Sequence, residues 1–73
     1  MYYPRIRDLR EDADLTQEKI AKILYMQRTV YQNYESGKRE IPFQFAIALA
    51  KYYNVSLDYI AGFTHVKRPP LHD

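Results

Sequence analysis

The stretch Thr16–Gly37, TQEKIAKILYMQRTVYQNYESG, decides how this chain folds. The Thr16 hydroxyl can accept a hydrogen bond from a backbone N–H one turn ahead, which marks a helix start, although Lys19 stands where a reciprocal capping box would want Glu or Gln. From Gln17 to about Leu24, the apolar residues Ile20, Ala21 and Leu24 recur at the spacing of one helical face. Ala21 is small enough for a second helix to cross closely over it. After Tyr25 and Met26 a second periodic segment begins. Val30, Tyr31 and Tyr34 are expected to face inward, while Arg28, Thr29, Gln32 and Asn33 face outward. Gly37 can take the left-handed conformation that ends such a helix. Two short helices joined by a tight turn follow, the second carrying polar side chains that its own packing does not require.

Working outward, a helix from about Arg5 to Ala13 is set up by Pro4 and turns Ile6, Leu9 and Ala13 inward. Leu15 follows as an apolar staple beneath the next helix. Beyond Gly37, Lys38-Arg39-Glu40 reads as a loop. A fourth helix begins at Pro42 or Phe43 and runs to about Tyr53, with Ala46, Leu49, Ala50 and Tyr53 at helical spacing and Asn54 closing it. Ser56 caps a fifth, Leu57 to about Ala61, with Asp58 at its positive end and Gly62 after it. The expected architecture is a compact all-α domain of five helices over residues 1–63, followed by a flexible tail over residues 64–73.

Composition narrows the class. Seventy-three residues form one domain, near the lower size for an unstapled core. The absence of cysteine excludes disulfides and thiolate chemistry and agrees with a cytoplasmic location. No stretch is apolar for long enough to span a bilayer, and no signal peptide or membrane association is expected. With a net charge of only +2, binding to a polyanion must come from the placement of a few charges. Between Gln27 and Arg39 the cations Arg28, Lys38 and Arg39 face Glu35 alone.

The run Thr16–Gly37, with Gln17, Ala21, Val30, Tyr31 and the ending Tyr34-Glu35-Ser36-Gly37, resembles the Cro and phage-repressor type of helix-turn-helix, the xenobiotic response element family. The likeness extends through Ile41-Pro42, Leu49-Ala50, Asn54-Val55-Ser56 and Leu57-Asp58-Tyr59-Ile60 to Gly62, about residues 5–63 in all. It implies a lambda-repressor-like fold with the helix-turn-helix at the second and third helices. Two positions depart from the pattern. Tyr25 stands where the family has Gly in the turn, so it must either accept a strained positive φ or open the turn. Gln27 stands where Ser or Thr caps the recognition helix.

The resemblance implies a sequence-specific, double-stranded DNA-binding transcriptional regulator of a prokaryote or phage, expected to repress by occluding its operator, since no room is read for an effector or activation domain. A recognition helix presents its outward residues to base edges, here Arg28, Thr29, Gln32 and Asn33. Arg28 suits guanine or a phosphate; Asn33 suits adenine. Phosphate contacts are expected from Gln17 at the second helix's positive end, and from Gln27, Ser36, Lys38 and Arg39 flanking the third. Family likeness also implies a structural ion pair between Arg10 and Glu35.

Eight tyrosines exceed what packing needs. Tyr31, Tyr34 and Tyr53 fall on core faces, whereas Tyr52, Tyr59, Phe45 and Phe63 are less easily absorbed. A homodimer is expected through Leu57, Tyr59 and Phe63 with Tyr52 contributing, which would set two reading helices about one DNA turn apart (~34 Å) on a palindromic operator. The competing reading is a protein-binding module, such as the antitoxin half of a toxin–antitoxin pair or a coregulator, docking through Phe45, Tyr52 and Phe63. Catalysis is not expected. His65 and His72 lie in the tail, no nucleophile–base arrangement or phosphate-cradling loop exists, and neither metal nor cofactor is called for.

Overall fold

In the computed structural model, which describes residues 3–67, the chain forms α1 (Pro4–Asp12), α2 (Gln17–Ile23), α3 (Arg28–Ser36), α4 (Phe43–Tyr53) and α5 (Leu57–Ala61). No strand occurs among the described residues. α2 packs on α3, α1 braces α3 and α5, and α4 packs on α5. Ile6, Leu9, Ile20, Ala21, Leu24, Tyr31, Ile41, Leu49, Ala50 and Ile60 form the buried core, with Tyr31, Ile6, Ile20 and Leu49 at its centre.

Local chemistry explains the helix starts. Thr16 Oγ1 accepts from the Lys19 N–H at 3.1 Å, and Ser56 Oγ accepts from the Tyr59 N–H at 3.0 Å. Pro4 occupies the first turn of α1, where a missing N–H costs nothing. Gln27 precedes α3 with no side-chain cap bond.

The helix ends share one device. Each is followed by a residue with positive φ: Asp14 (57°), Tyr25 (59°), Gly37 (84°), Asn54 (57°) and Gly62 (88°). After α1, the Leu15 N–H donates to Arg10 O (3.1 Å) and the Asp14 N–H to Glu11 O (3.0 Å). The same doubled closure follows α2, where Met26 N–H reaches Ala21 O (2.9 Å) and Tyr25 N–H reaches Lys22 O (3.0 Å). It recurs after α4 through Val55 and Asn54, and after α5 through Phe63 and Gly62. These are Schellman closures, in which the residue after the left-handed one returns an apolar side chain to the helix. Leu15, Met26 and Val55 do so against the core, whereas Phe63 stays 82% exposed. Tyr25 therefore keeps the turn tight by accepting the left-handed conformation, with its side chain 97% exposed.

Several expectations need correction. α1 ends at Asp12, and Ala13 is exposed because the chain has already left the helix. Val30 lies at the edge of the buried stripe and is 37% exposed, since Tyr31 beside it takes the central position. Phe45 is partly buried against the core, 6.3 Å centroid to centroid from Tyr34, so it is not part of an outer docking face. Tyr59 is half-buried beneath Arg5, whose guanidinium carbon lies 4.3 Å from the ring centroid. Residues 64–67, the described part of the expected flexible tail, make hydrogen bonds to the domain. Arg5 Nη1 donates to Tyr59 O (2.9 Å) and to Thr64 O, Arg5 Nη2 meets His65 Nδ1 (3.0 Å), and the Ser56 N–H donates to Lys67 O (2.7 Å). The rest of the expected tail, His72 included, lies outside the described residues. No helix among the described residues is long and apolar enough to cross a membrane.

Candidate nucleic-acid interface

α3 is held by one face and presents the other. Tyr31 is fully buried on the inner side, and one turn later Glu35 is buried at 4% exposure. A buried carboxylate is costly unless its oxygens are satisfied. Here Arg10 of α1 donates from Nε to Glu35 Oε2 (2.8 Å) and from Nη2 to Oε1 (3.1 Å), a bidentate fork. Tyr31 Oη donates to Oε2 (2.6 Å), and Gln17 of α2 donates from Nε2 to Oε1 (3.0 Å). Arg10 Nη1 also holds Leu15 O (2.8 Å), so one guanidinium joins α1, the α1–α2 link and α3.

The charges respond accordingly. Burial pushes the Glu35 carboxyl up, but the hydrogen bonds from Arg10, Tyr31 and Gln17 outweigh it and hold the group below its ordinary value. The Arg10 guanidinium is raised, chiefly by its bonds to Glu35. Burial and then the bond to Glu35 push the Tyr31 hydroxyl up. Tyr53 Oη is buried with no hydrogen-bond partner among the described residues, and desolvation raises its pKa as well.

On the outer side of α3, Arg28, Thr29 and Gln32 are exposed and Asn33 is half-buried. Arg28 Nη1 donates to Gln32 Oε1 across one turn (3.3 Å). These four occupy the first two turns of the helix, with Gln27 exposed at its start. At the other end Ser36 Oγ donates to Asn33 O (3.3 Å) and accepts from the Lys38 N–H (3.4 Å), and the Arg39 N–H bonds Asn33 O (3.0 Å). The side chains of Lys38 and Arg39 stand exposed on this folded loop. Polar donors and acceptors thus run along one surface, with cations at both ends.

Gln17 is placed differently from the rest. One N–H of its amide is directed inward, donating from Nε2 to Glu35 Oε1 across the α2–α3 contact. Beside it a crevice of about 280 Å³ opens between α1, α2 and α3, lined by Arg7, Arg10, Gln17, Gln32, Glu35 and Ser36. Arg7 was not legible as part of this surface. Its only signal is position, one turn ahead of Arg10 on α1, and the crossing of α1 over α3 brings it beside Gln32 and Ser36.

The residues of the expected dimer surface are spread over two helices and the segment after them. Tyr52 (α4) and Phe63 (after α5) are exposed, Leu57 is half-buried, and Tyr59 is occupied by Arg5. Leu57 lines a small apolar groove with Tyr3, Phe43, Ala46, Ile60 and Ala61, and Phe43 stands exposed at it.

Comparison with known proteins agrees with this geometry. A helix-turn-helix family profile matches residues 6–60. The chain is 38% identical over 64 residues to the uncharacterized HTH-type transcriptional regulator YobD of Bacillus subtilis (strain 168), covering 88% of this chain and 57% of that protein. It is 35% identical over 57 residues to the cryptic phage CTXphi transcriptional repressor RstR of Vibrio cholerae, covering 78% and 51%. Against the HTH-type transcriptional activator BcrR of Enterococcus faecalis it is 33% identical over 54 residues, covering 74% and 26%. The chain thus spans little more than half the length of the first two relatives and about a quarter of the third. No solved structure matches it. With α2 and α3 set by the Schellman turn at Tyr25, and with the profile covering α1 to α5, the chain belongs to the helix-turn-helix family of the Cro and phage-repressor type.

Proposed function

We propose that this protein binds duplex DNA sequence-specifically in the cytoplasm and regulates transcription, repressing by occupying its operator. The observation that carries the reading is α3 itself. Its inner face is locked by Tyr31 and the Arg10–Glu35 fork, while Arg28, Thr29 and Gln32 are exposed and Asn33 is half-buried. A rigid helix with that outer chemistry fits the major groove, where Arg can pair with guanine O6 and N7 and Asn with adenine N6 and N7. Phosphates on either side would meet Gln27, Ser36, Lys38 and Arg39, together with the Gln17 N–H at the start of α2. Repression needs only occupancy, and the relative RstR is named a repressor.

The proposed working form is a homodimer on a palindromic site. Support comes from the apolar groove at Leu57 and from the exposed rings of Phe43, Tyr52 and Phe63 around α4 and α5. Tyr59, half-covered by Arg5, contributes only its rim. Selection of bound oligonucleotides from a random duplex pool tests the function directly. The expected product is an inverted repeat with half-site centres about one turn apart, ~34 Å. A pool that stays random after repeated selection, from a protein that is folded, would defeat sequence-specific binding.

A further inference from the structure

We propose that Arg7 of α1 is a phosphate-binding residue of the duplex interface, and that Glu11 competes for it in the free protein, so that docking exchanges an internal ion pair for one with the DNA backbone. This rests on duplex binding by α3 as proposed above. The crevice between α1, α2 and α3 contains two cations. Arg10 is spent, because its Nε and Nη2 hold Glu35 and its Nη1 holds Leu15 O. The Glu35 carboxylate is likewise engaged by Arg10, Tyr31 and Gln17. The Arg7 side chain is 59% exposed, and its Nε donates to Glu11 Oε2 at 3.1 Å.

That pair is a weak one. It is solvent-exposed and runs from cation to anion along the helix, the less favourable order. Glu11 also sits in the last turn of α1, where the helix dipole disfavours a negative charge. Glu11 Oε2 also lies 4.0 Å from Arg10 Nη2, so its carboxylate is shared between two cations, and a carboxylate beside an arginine at a polyanion surface lowers affinity. With the exposed face of α3 in the major groove, the two phosphate strands form the groove walls, and the surface beside Gln32 and Ser36 meets one of them. Arg7 is the exposed guanidinium there, and a phosphate offers it a bidentate partner whose capture releases condensed counterions.

Binding of wild type, Arg7→Ala, Arg7→Lys, Glu11→Gln and the Arg7→Ala/Glu11→Gln double variant to a mixed-sequence duplex of about two turns, measured across salt concentrations, tests the exchange. Arg7→Ala is expected to weaken binding roughly tenfold near 0.1 M salt and to reduce the slope of log K against log salt by about one, with Arg7→Lys keeping the slope. Glu11→Gln should tighten binding about threefold at low salt, and that gain should vanish in the double variant. Because both side chains are exposed, circular dichroism of every variant should match wild type. An unchanged slope in Arg7→Ala overturns the inference while wild-type binding leaves the DNA reading standing. A Glu11→Gln gain that persists without Arg7 also overturns it, since that would be a general charge effect. Failure of wild type to bind any duplex removes both.

Discussion

Tyr25 carries the clearest single-residue conflict in the chain. A non-glycine side chain in the left-handed region costs roughly 1–2 kcal/mol, and a ring 97% exposed recovers none of it by packing. Tyr25→Gly should stabilise the domain by about 1 kcal/mol and raise the melting temperature by roughly 4–8 °C, read by calorimetry. A lower melting temperature would mean that the ring is supported by something besides the turn. At the same scale, the proposed readers and clamps separate by what their loss does to discrimination. Arg28→Ala or Asn33→Ala should cost about 1–3 kcal/mol on the selected operator and little on random duplex. Lys38→Ala should weaken both alike. If neither Arg28→Ala nor Asn33→Ala alters operator preference in a competition assay, the bases are read by another face.

Between elements, the buried carboxylate of Glu35 is what ties α3 to α1 and α2. Removing Arg10 alone would strand a negative charge at a site only 4% exposed, so Arg10→Ala should cost on the order of 3 kcal/mol by chemical denaturation. The pH dependence has a definite sign. Because the Glu35 carboxyl is held below its ordinary value of 4.5, it contributes stability that is fully present above that value and is lost as pH falls below it. Glu35→Gln should therefore be less stable near neutrality but show a flatter acid limb. The raised Tyr31 hydroxyl works at the other end: the unfolded chain ionises first, so stability declines as pH rises above the ordinary value of 10.0. Tyr31→Phe should lose the Tyr31 share of that alkaline decline, leaving the part due to the raised Tyr53 hydroxyl, and, with one donor to Glu35 removed, about 1–2 kcal/mol near neutrality. Equal acid limbs in wild type and Glu35→Gln would show that another group governs acid unfolding.

At the scale of the whole molecule, α5 is where the domain runs short of its own core. Three of the four residues that follow a Schellman closure fold back onto apolar neighbours, while Phe63 does not, and Phe43 is exposed at the neighbouring groove. Both side chains contribute little to the monomer, so Phe63→Ser and Phe43→Ser should leave the fold intact. The expected result is loss of self-association and of cooperative occupation of paired half-sites in sedimentation experiments with and without operator. Wild type that sediments as one protomer throughout, with no cooperativity on a paired site, removes the dimer. Nearer to the folded body, Arg5 holds Tyr59, Thr64 and His65, so the chain leaving α5 is drawn back across the start of α1.

The order of the helices, their caps at Thr16 and Ser56, their ends at Gly37, Asn54 and Gly62, and the outward placing of Arg28, Thr29 and Gln32 on α3 were legible in the residues themselves, because capping and 3.6-residue periodicity act within a single turn or two. Periodicity does not say where a buried stripe stops, and only the packed neighbours decided that Val30 and Ala13 lie outside it and Phe45 inside. Nor could spacing show that Gln17 turns its amide inward, or that Arg7 joins the crevice beside Gln32. Those contacts span helices distant in the chain and depend on how α1 and α2 cross α3, a matter of ångströms that tertiary packing alone sets.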